Sequence, residues 1–161
     1  MELFVDTETT GKMFFKQSHK YKGQPDIVQV GAVLSDKDRV YSKLSMIVNP
    51  GAVSPNWSLP DEVVRIHGIT KEMVLRGGLS TVDMLSLFIP LLLKAETVVC
   101  HNVDFDKPMM QTAAFRGGMV GEAVAELLVS KKTYCTMKES TEMCELPGPY
   151  GYKWPKLIEL H

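Results

Sequence analysis

The chain has 161 residues, 45% of them apolar, which suits a globular fold with one real core. Its formal net charge of −1 excludes a protein that coats nucleic acid by bulk charge, while leaving room for a local basic strip. The longest apolar run, residues 85–93, is too short to span a bilayer and contains Pro90; with no basic leader at Met1-Glu2-Leu3 and no CxxC pair among Cys100, Cys135 and Cys144, a cytoplasmic protein with reduced thiols and no membrane partner is expected.

Residues 2–6, reaching as far as Glu8, read as a first, buried strand that Gly11 ends. Asp6 and Glu8 stand two residues apart, and a strand puts such residues on one face. Two like charges held together repel, and a divalent cation is the natural partner. Two solvated acids at a frayed strand end remain the alternative at this point. Residues 11–26 form a long polar connection that carries Lys12, Lys16, Lys20, Lys22 and His19, with no acid before Asp26. Phe14, Phe15 and Tyr21 lie among these cations, a mixture that suits a phosphate backbone and stacked bases; a solvated hairpin is the plainer reading.

Residues 27–34 and 40–48 read as the second and third strands, joined by a turn at Asp36-Lys37-Asp38, which predicts an antiparallel meander. Short helices are expected from Pro60-Asp61-Glu62 to His67 and after a Thr70 cap, then a firmer one over 82–93. Thr97–Cys100 lacks alternating polarity and reads as a central strand. His101-Asn102-Val103-Asp104-Phe105-Asp106-Lys107-Pro108 follows, leading into a helix that ends at residue 115 or 116, with Pro108 in its first turn. Asp106 then lies near a helix N-terminus at the C-terminal mouth of a strand, where open sheets place their sites; Asp104 and Asp106 are both candidates for a mere cap. Beyond residue 120 the pattern weakens: a helix over 121–129, a strand over 133–136, a weak helix over 137–143, a loop at 146–151 and the start of a helix at Trp154. Met109, Met110, Met137 and Met143 read as core filler, and Trp57 and Trp154 as packing or loop anchors.

Asp6-Thr7-Glu8-Thr9-Thr10-Gly11, His67-Gly68-Ile69-Thr70 and His101-Asn102-Val103-Asp104-Phe105-Asp106 occur in an order that resembles the DnaQ-like 3'-to-5' exonucleases, His-type members of the DEDD superfamily. The resemblance covers most of the chain, strongly to about residue 112. It implies an α/β fold with a ribonuclease H-like mixed sheet: three antiparallel strands, then two parallel strands, flanked by helices. Residues 1–161 would form a single exonuclease-like domain, truncated before its last helices. It implies two-metal hydrolysis, with Mg²⁺ or Mn²⁺, of the terminal phosphodiester at the 3' end of single-stranded DNA or RNA. Asp6, Glu8 and Asp106 match the catalytic, metal-binding carboxylates, and Asp104 does not. Thr9, Thr10 and Phe105 match the substrate-binding positions, beside the basic strip of Lys12, Lys16, Lys20 and Lys22. His67 is expected to pack its loop and His101 to brace the strand–helix turn. A DNA polymerase partner and a part in proofreading or DNA repair are left open. The family's third motif pairs a His with an Asp five residues on; here no Asp follows Asp106, and His161, the last residue, reads as part of a helix. No general base is therefore found, and weak or absent nuclease activity is expected of this polypeptide. A non-catalytic nucleic-acid-binding or polymerase-accessory module on the same fold is the alternative.

Overall fold

The computed structural model describes residues 1–160; His161, and the helical reading given to it, lie outside the described residues. The acid-bearing strand β1 (Glu2–Thr9) alternates strictly, with Leu3, Val5, Thr7 and Thr9 buried and Glu2, Phe4, Asp6 and Glu8 on the other face. β2 (Ile27–Asp36) pairs antiparallel with β1, from Glu2 opposite Ser35 to Glu8 opposite Gln29, and the register slips between Glu8 and Thr9. β3 (Arg39–Asn49) continues the meander on the far side of β2. A two-residue strand, β4 (Leu79–Ser80), runs parallel to the end of β3. On the other side of β1, β5 (Thr97–Cys100) and β6 (Lys132–Cys135) add in parallel. The order β4-β3-β2-β1-β5-β6 puts the acidic strand inside a six-stranded sheet, with three antiparallel strands followed by two parallel ones, as expected.

Two short helices, α1 (Asp61–His67) and α2 (Lys71–Gly77), follow β3, and the Thr70 hydroxyl accepts the Met73 N–H to start the second. Three longer helices then cover the Leu3–Val5 face: α3 (Thr81–Lys94), α4 (Val103–Arg116) and α5 (Gly118–Ser130). Their fully buried Met84, Phe88, Leu92, Met109, Met110 and Leu128 form the main core with Leu3 and Val30. α4 and α5 meet backbone to backbone. A Cβ on Gly121 would lie 1.7 Å from the Ala114 carbonyl oxygen, so only glycine permits this approach. Among the described residues no helix is long and apolar enough to cross a membrane.

Four expectations need correction. α4 begins at Val103, five residues before Pro108, because the Asn102 carbonyl already accepts the N–H groups of Phe105 and Asp106. Pro108 thus sits in the second turn, where its missing N–H takes one bond from the helix. The expected loop near residue 150 contains a small hairpin, β7 (Pro147–Gly148) with β8 (Gly151–Tyr152), after two single-turn helices, α6 (Thr136–Glu139) and α7 (Thr141–Cys144). The segment after Trp154 makes only a 3-10 turn, Leu157–Glu159, closed by the Glu159 carboxylate on the Lys156 N–H and the Lys153 ammonium. Trp154 and Met143 are 62% and 83% exposed, so neither packs a core.

Candidate active site

β1 and α4 bring the first and second acidic motifs together through Thr7. This residue has the buried parity of β1, opposite to its neighbours Asp6 and Glu8. Its N–H and its hydroxyl both donate to Asp106 Oδ1, at 3.0 and 2.8 Å. Asp106 is 4% exposed, whereas the Asp104 side chain is 57% exposed and pairs with Lys138. The two acids of the second motif therefore differ in setting: Asp106 is turned into the β1 junction and Asp104 to solvent.

Charge couples the three acids. Burial pushes the Asp106 carboxyl up to about 7; the Thr7 hydroxyl opposes the rise and the Asp6 charge adds to it. Glu8 is raised as well, first by burial and then by Asp6, against a counter-pull from His67. Asp6 itself is exposed at the sheet surface. A site that crowds carboxylates in this way favours a divalent cation, and hard oxygen donors are what Mg²⁺ and Mn²⁺ take. The donor chemistry fits such ions. As the side chains stand, no three His, Cys, Asp or Glu groups among the described residues close around one point tightly enough to hold a metal ion.

Two cavities adjoin these acids, and a third lies beyond Lys12. Glu8, Thr9, Thr10, Lys12, Phe105 and His67 share one of about 460 Å³. Asp6 lines another, of about 430 Å³, with Cys100 and His101. Lys20 and Lys22 line a third, of about 700 Å³, whose wall also includes Thr10, Gly11 and Lys12. Lys16 lines none of the three, so the structure separates it from the other lysines of its loop. The hydroxyls of Thr9 and Thr10 are engaged locally, with Thr9 donating to the Gly11 carbonyl and Thr10 accepting the Asp26 N–H, which fixes the turn after β1.

The two histidines do more than expected. His67 Nδ1 accepts the Ile69 N–H at 3.0 Å, which packs the loop and leaves the ring proton on Nε2, a buried atom without a hydrogen-bond partner among the described residues. His101 reaches past its own turn, to the Thr136 hydroxyl at 3.0 Å and the Pro155 carbonyl at 3.1 Å.

Sequence reasoning missed Thr7 as the anchor of Asp106, and it missed a clamp under the basic loop. Arg116 donates to the carbonyls of Pro25, Gln24 and Lys22 and pairs with Asp26, their side chains only 12% and 11% exposed. Ser54 also donates to Asp26, at 2.7 Å, yet burial outweighs both partners and leaves the Asp26 carboxyl raised. Gln24, 3% exposed, bonds the backbone of Phe14, Gln17 and Ser18. Residues 12–24 are therefore folded around two polar centres. The signal was the lone Arg116 at the end of α4, which no local pattern connects to Asp26.

A sequence profile of the RNase_T family, described as exonuclease, matches residues 3–150. An exonuclease of Escherichia phage 186, CP81, itself uncharacterized, is 27% identical over 158 residues, covering 98% of this chain and 71% of its own. Among solved structures, E. coli exonuclease I in complex with a dA16 oligonucleotide superposes with a TM-score of 0.70 at 16% identity, over 96% of this chain and 33% of that one. Its complex with a dT13 oligonucleotide gives 0.71 at the same identity and coverage. The chain thus has the ribonuclease H-like fold of exonuclease I and spans about a third of the solved structures it matches.

Proposed function

Because this chain belongs to the RNase_T exonuclease family, we propose that it works as a 3'-to-5' exonuclease on single-stranded nucleic acid, with Asp6, Glu8 and Asp106 as the carboxylates that hold Mg²⁺ or Mn²⁺. The observation that carries this reading is geometric: Thr7, between Asp6 and Glu8 on β1, bonds Asp106 of α4 through both its N–H and its hydroxyl, and burial, with the Asp6 charge adding, raises Glu8 and Asp106. When bound, such ions supply charge neutralisation at the phosphate and an activated water. The chain's own part is positioning. β1 presents Asp6 and Glu8 from the interior of the sheet, and Thr7, on the opposite face of that strand, bonds Asp106. The 460 Å³ cavity next to Glu8 offers the terminal nucleotide the backbone at Thr9 and Thr10 and the Phe105 ring, with the Lys12 ammonium at its wall. E. coli exonuclease I, which shares the fold, is seen with dA16 and dT13 oligonucleotides, and this supports a single-stranded substrate.

No aspartate follows Asp106 in these 161 residues, so hydrolysis by this polypeptide itself is expected to be slow. The test is digestion of a 5'-labelled 20-mer with Mn²⁺. The reading expects a slow ladder that shortens from the 3' end and vanishes in Asp6→Asn and Asp106→Asn. Internal cuts, removal of the 5' label, no ladder, or a ladder that survives Asp6→Asn would overturn it.

A further inference from the structure

We infer that the 700 Å³ cleft beyond Lys12 is a second nucleic-acid subsite, which takes the unpaired strand leading up to the terminal nucleotide. The direction of the strand rests on the exonuclease reading; the chemistry of the cleft rests on its own walls.

The cleft adjoins the cavity beside Glu8: Thr10, Gly11 and Lys12 line both. Its charge is strongly local. Lys12, Lys20, Lys22 and Arg116 face one carboxylate, Asp26, in a chain whose net charge is −1. Arg116 and Asp26 occupy each other, and the remaining guanidinium donors hold loop carbonyls, so this pair is the floor and not a phosphate ligand. The three lysines are exposed and form no ion pair among the described residues. The Lys20 ammonium stands 5.8 Å over the Phe115 ring, a cation–π contact that orients it.

Between these cations the cleft presents aromatic surface. Phe14 and Phe115 are 54% and 53% exposed, and Trp57, half-buried with Lys71 5.6 Å over its ring, also lines the cleft. Exposed rings among ammonium groups suit bases that have free faces and a backbone that carries charge. A duplex stacks its bases on one another and offers no such faces, so the ligand class is a single strand. Gln24 and Arg116 fix the loop that carries Phe14, Lys20 and Lys22, so little ordering is left for binding. Lys16 has the same charge in the same loop and lines neither cavity, which supplies an internal control.

The experiment is binding of 5'-fluorescein-labelled dT2 and dT8, and of a blunt 8-base-pair duplex, to the full chain in EDTA over a range of KCl. Wild type is expected to bind dT8 more tightly than dT2 or the duplex. Lys20→Ala and Lys22→Ala should each lower the salt slope for dT8 by about 0.7. Phe14→Ala should weaken dT8 about five- to tenfold. All three should leave dT2 unchanged, and Lys16→Ala should alter the dT8 slope by less than half as much as Lys22→Ala. The inference is overturned if the three variants bind dT8 as wild type does, if dT2 loses equally, if Lys16→Ala matches Lys22→Ala, or if the duplex binds as tightly. Binding in EDTA needs no catalysis, so a failed digestion ladder with the expected dT8 pattern sinks only the exonuclease reading, and the reverse result sinks only the cleft.

Discussion

Replacing Asp106 by asparagine should stabilise the metal-free protein at alkaline pH. Asp106 is 4% exposed and its carboxyl is pushed from 3.8 up to about 7, first by burial, with Asp6 adding and Thr7 opposing. The folded chain therefore holds this proton more tightly than the unfolded chain does. Stability from this group is fully present below pH 4 and is lost as pH rises through about 7. At ~1.36 kcal/mol per pH unit the whole loss is on the order of 4 kcal/mol. Asparagine keeps an oxygen for the Thr7 N–H and hydroxyl but never ionises, so Asp106→Asn escapes this loss. Its new amide needs a partner, which lowers the expected gain at pH 8.5 to about 2–3 kcal/mol, or roughly 4–12 °C in Tm for a chain of this size. Urea denaturation of both proteins from pH 4.5 to 8.5 in EDTA measures the difference. The curves should nearly coincide at pH 4.5 and separate as pH rises, with the variant more stable, and added Mg²⁺ should raise wild type alone. A variant that is less stable at pH 8.5, or a gap that does not change with pH, would refute the reasoning.

Thr7→Val removes the 2.8 Å hydroxyl bond to Asp106 and leaves the backbone donor. It should cost about 1.5–3 kcal/mol at pH 8.5 in EDTA, where the acid is ionised, and less at pH 5; an equal cost at both pH values would remove Thr7 as the holder of the carboxylate. Arg116→Met leaves Asp26 buried without its cation and should cost about 3–5 kcal/mol in urea denaturation, part of it recovered by adding Asp26→Asn. A loss below about 1 kcal/mol would mean the pair behaves as an exposed one. Gly121→Ala places a methyl 1.7 Å from the Ala114 carbonyl oxygen and must part α4 from α5. It should cost about 3 kcal/mol or more by the same denaturation assay, and a variant as stable as wild type would contradict that close approach.

The elements that hold the acids were legible because burial wrote them plainly. β1 alternates over its whole length, β5 is a short apolar run in the interior of the sheet, and the spacing of Asp6 and Glu8 fixes a shared face. The ordered motifs added what periodicity lacks, a choice of Asp106 over Asp104; the structure buries the first and exposes the second, and Mn²⁺ binding by the two variants tests the choice. Thr7 was illegible because it reads as a spacer between two acids, and its role depends on a helix that starts almost a hundred residues later. The Arg116–Asp26 clamp spans a similar distance and leaves no local pattern. In the basic loop the sequence supplied the charges but not their sorting. Gln24 folds the segment so that Lys20 and Lys22 line a cleft and Lys16 does not. Past residue 136 the helices and strands are one turn or two residues long, too short for any period to form.

The most direct test of the carboxylate site is Mn²⁺ binding, followed by titration calorimetry at pH 8 without nucleic acid. Wild type should bind, and Asp6→Asn and Asp106→Asn should each lose that binding while Asp104→Asn retains it. A wild type that takes up no Mn²⁺, or an Asp6→Asn that binds as wild type does, would contradict the account.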